Sequence, residues 1–262
     1  MHVKLYAAIA MILLYSALGT KVLGYPTRYG PFPAGQEPTC LTLNKCDLIH
    51  DAKSKTGDTD GEVRQYRIHA TESGQKQITL ALRGSTNGWE LDLRDARAKS
   101  LMLTPFTNGM TSSQMEVFSC DLNGDGQPDF IVNVWSGGTG IAMDSSEVTF
   151  LLSSKMGCRA TSFIVYSFGK EDLVRFKPNG PVYFISNDLI TSDDEKTRDR
   201  RLHNFWVYEL KRINGTQFIP ADSDQAGFPK WVWFTDRENH EETTQLSQEQ
   251  KNRLLIKRNA SK

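Results

Sequence analysis

Through most of the chain after residue 62, apolar and polar side chains alternate with a period of two. Gln65–Thr71 (QYRIHAT), Gln77–Arg83 (QITLALR) and Trp89–Leu93 (WELDL) each set apolar residues two apart, which gathers them on one face of a β-strand. The same alternation, or a short apolar run, recurs at Met115–Phe118, Asp129–Trp135, Glu147–Leu152, Ser162–Phe168, Pro181–Ser186, Asn204–Ile213 and Lys230–Thr235. Asn87-Gly88 and Asn214-Gly215 fall beside these runs, and Asn-Gly is the pair that a tight hairpin prefers. Between the runs no window holds apolar residues at i, i+3, i+4 and i+7, so crossover helices and a parallel sheet are not expected. The pattern predicts an all-β, antiparallel fold, built as a sandwich or as propeller-like blades.

Two stretches break the alternation. Asp193–Arg201 (DDEKTRDRR) is a mixed charge run that reads as a solvated loop. After Asp236 the chain is polar, and Ser247–Gln250 (SQEQ) has the form of a capping box opening a short C-terminal helix through Leu254, Leu255 and Ile256. The organisation expected is an export signal at 1–24, an irregular segment with a cysteine pair at 25–62, one β domain at 63–235 and a polar tail with a short helix at 236–262.

The signal rests on Lys4, the uncharged apolar run Leu5–Gly19 and the small residues Gly19 and Gly24 ahead of a proline-rich stretch. That run is shorter than the roughly 20 residues needed to cross a bilayer as a helix and no later stretch approaches that length, so the mature chain should carry no transmembrane span and be periplasmic or extracellular. Lys plus Arg and Asp plus Glu both number 31, so no net field exists to hold a polyanion, and nucleic acid is excluded as a partner. Four cysteines, Cys40, Cys46, Cys120 and Cys158, are an even number in an exported chain, which favours disulfides. Three pairings exist, of which Cys40 with Cys46 and Cys120 with Cys158 is preferred because the first pair closes a short loop.

The chemistry gathers in one segment. Asp121, Asn123, Asp125 and Asp129 occupy positions 1, 3, 5 and 9 of a D-x-N-x-D-G-x-x-D loop, with Gly126 at position 6 and Gln127 at position 7. Oxygen side chains at 1, 3 and 5 wrap a hard cation, glycine at 6 permits the sharp turn, and the carbonyl at 7 adds a backbone ligand. Three carboxylates so close together repel one another without a cation between them. The spacing predicts a Ca²⁺ site made by Asp121, Asn123, Asp125, Gln127 and Asp129, with water completing the shell. Where an EF-hand carries its bidentate glutamate stands Val132, and Phe130–Trp135 are strand formers, so the loop caps a strand. Pro128 likewise opposes a helix after it.

This loop running straight into an apolar strand, Asp121–Trp135, resembles the calcium loop of FG-GAP and VCBS-type repeats, which occur in exported bacterial proteins and integrin-type β-propellers. The resemblance covers this short segment and extends loosely to Phe168. It implies Asp121, Asn123, Asp125, Gln127 and Asp129 as ligands, and a structural or adhesive module.

Weaker echoes of the layout occur at Asp222–Lys230 (DSDQAGFPK) and Thr56–Arg64 (TGDTDGEVR), with Lys230 and Arg64 where a closing carboxylate would stand. Both read as Asp/Gly-rich turns without an ion. Trp135–Gly140 lacks a phosphate-loop pattern, no G-x-S-x-G or H-E-x-x-H exists, and His50, His69, His203 and His240 are scattered. Trp231 and Trp233 share a strand face that suits core packing or, less well, a sugar-stacking platform. The expected function is an exported calcium-binding, non-catalytic β-module with a structural, adhesive or ligand-binding role toward a surface glycan or protein. The alternative is a secreted glycan- or ester-directed hydrolase with calcium as a structural ion, its acid and base supplied by loop carboxylates.

Overall fold

The structure is a computed structural model and describes residues 32, 35–46, 48–51, 63–68, 78–85, 88–94, 100–106, 115–135, 145–155, 157–191, 203–233 and 246–260. The leader at 1–24, the charge run at 193–201 and nearly all of the 56–64 echo therefore lie outside the described residues. The strands are β1 (Thr39–Cys40), β2 (Asn44–Lys45), β3 (Leu48–Asp51), β4 (Val63–Ile68), β5 (Ile78–Ser85), β6 (Gly88–Arg94), β7 (Ser100–Phe106) and β8 (Met115–Cys120). They continue as β9 (Asp129–Trp135), β10 (Ser145–Ser154), β11 (Gly157–Tyr166), β12 (Leu173–Arg175), β13 (Tyr183–Thr191), β14 (Asn204–Asn214), β15 (Gln217–Pro220) and β16 (Lys230–Trp233). A single α-helix among the described residues, α1 (Gln248–Ala260), ends the described chain.

The fold is all-β and antiparallel, as the alternation predicts, and its three sheets follow one plan. β4–β7, β8–β11 and β12–β15 are each a meander in which every strand pairs with the next. One short N-terminal strand is added beside the first strand of each: β3 on β4, β2 on β8 and β1 on β12.

β9 and β10 are central in the second sheet and covered on both faces, with Asp129–Val134 and Ser146–Leu152 all buried. That is why they read as near-continuous apolar runs. One face, with Ile131, Val148, Phe150, Leu152 and Val165, packs on Leu173, Val182, Phe184 and Ile213 of the third sheet, which is sandwich packing. Phe150 is the hub, its ring 4.9 Å from those of both Phe184 and Phe218. Farther along the same face of the third sheet, Phe205, Val207 and Trp231 meet Leu246 and Leu254. Trp231 is thus a core residue rather than a platform.

β14 pairs with β13 along one edge, while β16 and then β15 share the other. At the changeover, Leu210 N–H donates to Asp222 Oδ1 (2.6 Å), and the Leu210 carbonyl accepts from Ala221 N–H (2.9 Å). A side chain thereby completes the ladder where no strand does. The capping box forms as expected: Ser247 N–H donates to Gln250 Oε1 (2.8 Å) and Gln250 N–H to Ser247 Oγ (3.3 Å). Arg258, near the other end of α1, donates to both carboxylate oxygens of Glu209 on β14 at 2.8 and 3.1 Å. Among the described residues no helix is long and apolar enough to cross a membrane.

The cysteine expectation is corrected: no disulfide joins any of the four. Cys40 lies on β1 in the third sheet and Cys46 just after β2 in the second, so the short segment between them crosses from sheet to sheet. Cys120 ends β8 and Cys158 lies on β11, with β9 and β10 between. Three strand spacings of about 4.8 Å separate those two backbones by about 14 Å, well beyond the roughly 7 Å that a disulfide spans between Cα atoms.

Candidate metal-binding loop

Cys120 and Asp129 face each other across β8 and β9, and Asp121–Pro128 is the hairpin connection between them. The turn uses glycine twice. Gly124 and Gly126 both have φ of 77°, in the left-handed region where other residues are strained. Asp121 Oδ1 accepts from the N–H groups of Gly124 (2.8 Å) and Asp125 (3.2 Å), and its Oδ2 from Gly126 (3.0 Å). Asn123 Oδ1 accepts from Asp125 N–H (3.0 Å), and Asp125 Oδ1 from Gln127 N–H (2.8 Å). Positions 1, 3 and 5 therefore direct their oxygens at one coil of backbone whose tip, residues 124–127, is exposed.

Asp129 is held differently. It is fully buried, with Oδ2 accepting from the N–H groups of Leu122 (2.8 Å) and Asn123 (3.2 Å). Its Oδ1 accepts from the N–H (2.6 Å) and hydroxyl (2.9 Å) of Ser153 at the end of β10. Asn123 Nδ2 adds a bond to the Ser153 carbonyl at 2.7 Å. Burial pushes the Asp129 carboxyl above the ordinary carboxylate range, against the lowering effect of these donors. Leu122, only 1% exposed, drops into the core between the second and third sheets. Leu122 and Ser153 are the two residues that reasoning from the sequence missed. Leu122 left one signal, a lone large apolar side chain within an acidic loop, whereas Ser153 left none.

The structure thus brings Asp121, Asn123 and Asp125 together around the coil, keeps Gln127 in it through the backbone, and turns Asp129 toward Ser153. Among the described residues no three acidic, histidine or cysteine side chains converge as a ready metal cluster. Like charges diverge and take the nearest amide donors, which is what each carboxylate here does. The donor set is nevertheless oxygen only: a carboxylate offers about four lone-pair sites, so Asp121 with three accepted bonds and Asp125 with one retain acceptor capacity for a hard cation, whereas Asp129 already accepts four. Cys120, one residue before Asp121, has its thiol pushed up chiefly by burial, with the Asp121 and Asp129 charges adding and Arg175 opposing.

The echo at 222–230 is a different object. Asp222 caps β14, Asp224 Oδ2 accepts from Tyr183 Oη (3.1 Å) and Arg212 Nη1 (3.0 Å), and Lys230 Nζ sits 4.0 Å from the centroid of the Phe32 ring. It also lies between β15 and β16, whereas the place equivalent to the 121–128 loop in the third meander is the β12–β13 connection. Comparison with known proteins gives no match: no family model, no curated protein and no solved structure matches this chain.

Proposed function

We propose that this chain is an exported, non-catalytic β-module whose Asp121–Asp129 loop is stabilised by Ca²⁺ and whose role is structural, adhesive or ligand-binding, toward a surface glycan or protein. The observation that supports it best is the division of labour in the loop. Asp121, Asn123 and Asp125 present oxygens on an exposed, glycine-dependent coil. Asp129 and Leu122 fasten that coil to the sandwich. An ion held by Asp121, Asn123, Asp125 and the Gln127 carbonyl, which Asp129 would join by exchanging one of its four hydrogen bonds for the ion, would offset carboxylate repulsion and stiffen the β8–β9 connection. Its contribution is to stability, because no nucleophile motif accompanies it in the sequence.

Thermal unfolding of the mature chain in Ca²⁺ and in chelator tests the reading. A ligand that binds only the native state stabilises by about 2.7 kcal/mol at 100 times its Kd. The midpoint is expected to rise with Ca²⁺, and Asp125→Ala to remove most of the rise, since Gly126 still makes the turn. Superimposable melts in Ca²⁺ and chelator would reject the calcium assignment. Sustained turnover of glycan, peptide or ester substrates, abolished by a single carboxylate substitution, would instead promote the hydrolase.

A further inference from the structure

The segment Pro38–Cys46 belongs to neither sheet by sequence, yet it joins two of them. Thr39 and Cys40 pair with Arg175 and Val174 of β12, and Asn44 and Lys45 pair with Ser119 and Phe118 of β8. Leu41 N–H donates to the Leu173 carbonyl and Cys46 N–H to the Val117 carbonyl, both at 2.8 Å. Between these anchor points Leu41, buried, and Leu43, partly buried, enter the core shared by the second and third sheets. Its partners β12 and β8 are the first strands of their meanders, so each would be a sheet edge if the segment left.

We propose that Pro38–Cys46 is a clip: it docks after the two sheets it joins have formed, opens independently of them, and covers an acceptor for an extended peptide of its own sequence. Chain order supports late docking, because β8 and β12 are far downstream and the pairing closes long loops. Against the burial of Leu41 and Cys46 and the packing of Cys40 on the third sheet stands the shortness of the clip's pairing, which favours independent opening. Its strands are two residues each, whereas β10 pairs with β11 over ten residue pairs. The Lys45–Glu116 ion pair at 2.6 Å is exposed and adds little. What the clip leaves behind is two strand edges and the spaces of Leu41 and Leu43, the combination by which a sheet edge accepts an added strand. The proposal does not depend on calcium.

Hydrogen exchange on the intact mature chain tests it first. The Leu41 and Cys46 amides are expected to exchange at least about 100-fold faster than those of Val132 and Thr149, relative to their intrinsic rates. Equal protection would overturn the proposal, because the clip would then open only with the whole molecule. A second experiment uses the full chain carrying Leu41→Asp and Leu43→Asp. This variant is expected to keep a cooperative melt at a lower midpoint. Excess synthetic peptide of residues 36–46, with its cysteines reduced, should raise that midpoint, and a peptide bearing the same two substitutions should not. A variant that loses its fold altogether, or a folded variant indifferent to the peptide, would overturn it.

Discussion

Asp129 shows how one side chain serves two parts of a structure at once. Both its oxygens accept two donors each, from Leu122, Asn123 and Ser153, so no orientation of a carboxamide reproduces the set. Asp129→Asn must aim its NH₂ at two N–H or O–H donors, and we expect it to lose about 3 kcal/mol in urea unfolding. A loss under about 1 kcal/mol would mean that the four bonds contribute little net. The spacing of Asp121, Asn123, Asp125 and Asp129 marked this loop as a candidate in the sequence because a hard-cation pattern constrains residue type and interval together. Ser153 was not legible, because a serine at a strand end fits many roles and only the fold brings it to Asp129. Cysteine chemistry was misread for the same reason: parity argues for pairing, but only topology sets distance. All four thiols should therefore be alkylated under denaturing conditions without reductant. In the folded chain Cys158, pushed up to about 11 by burial and the Asp129 charge, should react at pH 8 roughly 100-fold more slowly than an ordinary thiol. Full protection of any pair in the denatured, unreduced chain would restore a disulfide.

The elements read most readily in the sequence are those whose length lets a period show. β9 coincides with its expected run, and β14 exceeds its own by a single residue. β1, β2 and β12 have two or three residues, too few for any alternation, and β7 was hidden by Pro105, which an edge strand tolerates. β14 also shows what a strand pattern omits, since its outer edge is completed by a side chain. Burial is the main reason the Asp222 carboxyl stands above its ordinary value of 3.8. A raised carboxyl contributes stability that is fully present below the ordinary value and is lost as pH rises through the raised one. Asp222→Asn keeps an acceptor for Leu210 N–H without the charge. Relative to the native chain it should therefore gain stability near neutral pH, and that gain should shrink toward about pH 3. Asp222→Ala leaves Leu210 N–H without its acceptor and should lose about 1–3 kcal/mol at either pH. If the Asn variant falls with the Ala variant near neutral pH, burial of the charge is not what the position opposes.

At the scale of the whole molecule the repeated plan of a short N-terminal strand plus a four-stranded meander was not legible, although most of its strands were. Alternation says which residues share a face but not which strand is next to which, and β1 and β2 pair with strands far downstream. The Asp/Gly-rich echo at 222–230 does not track the plan either, since it falls between β15 and β16 rather than between the first two strands of its meander. What binds the second and third sheets into one unit is the aromatic cluster around Phe150, with Phe163 of the same sheet and Phe184 and Phe218 of the other all within 6.0 Å of its ring centre. Phe150→Ala removes the hub from a site with no solvent exposure and should lose about 3–5 kcal/mol. Because the lost contacts span both sheets, the loss should appear as one cooperative transition shifted to lower urea, with far-UV circular dichroism and tryptophan fluorescence falling together. Leu254→Ala, at the α1 end of the third sheet, should cost less, about 2–3 kcal/mol, and leave the transition equally cooperative. If Phe150→Ala separates the two probes into distinct transitions, the sheets fold as independent units and the shared core is not what couples them.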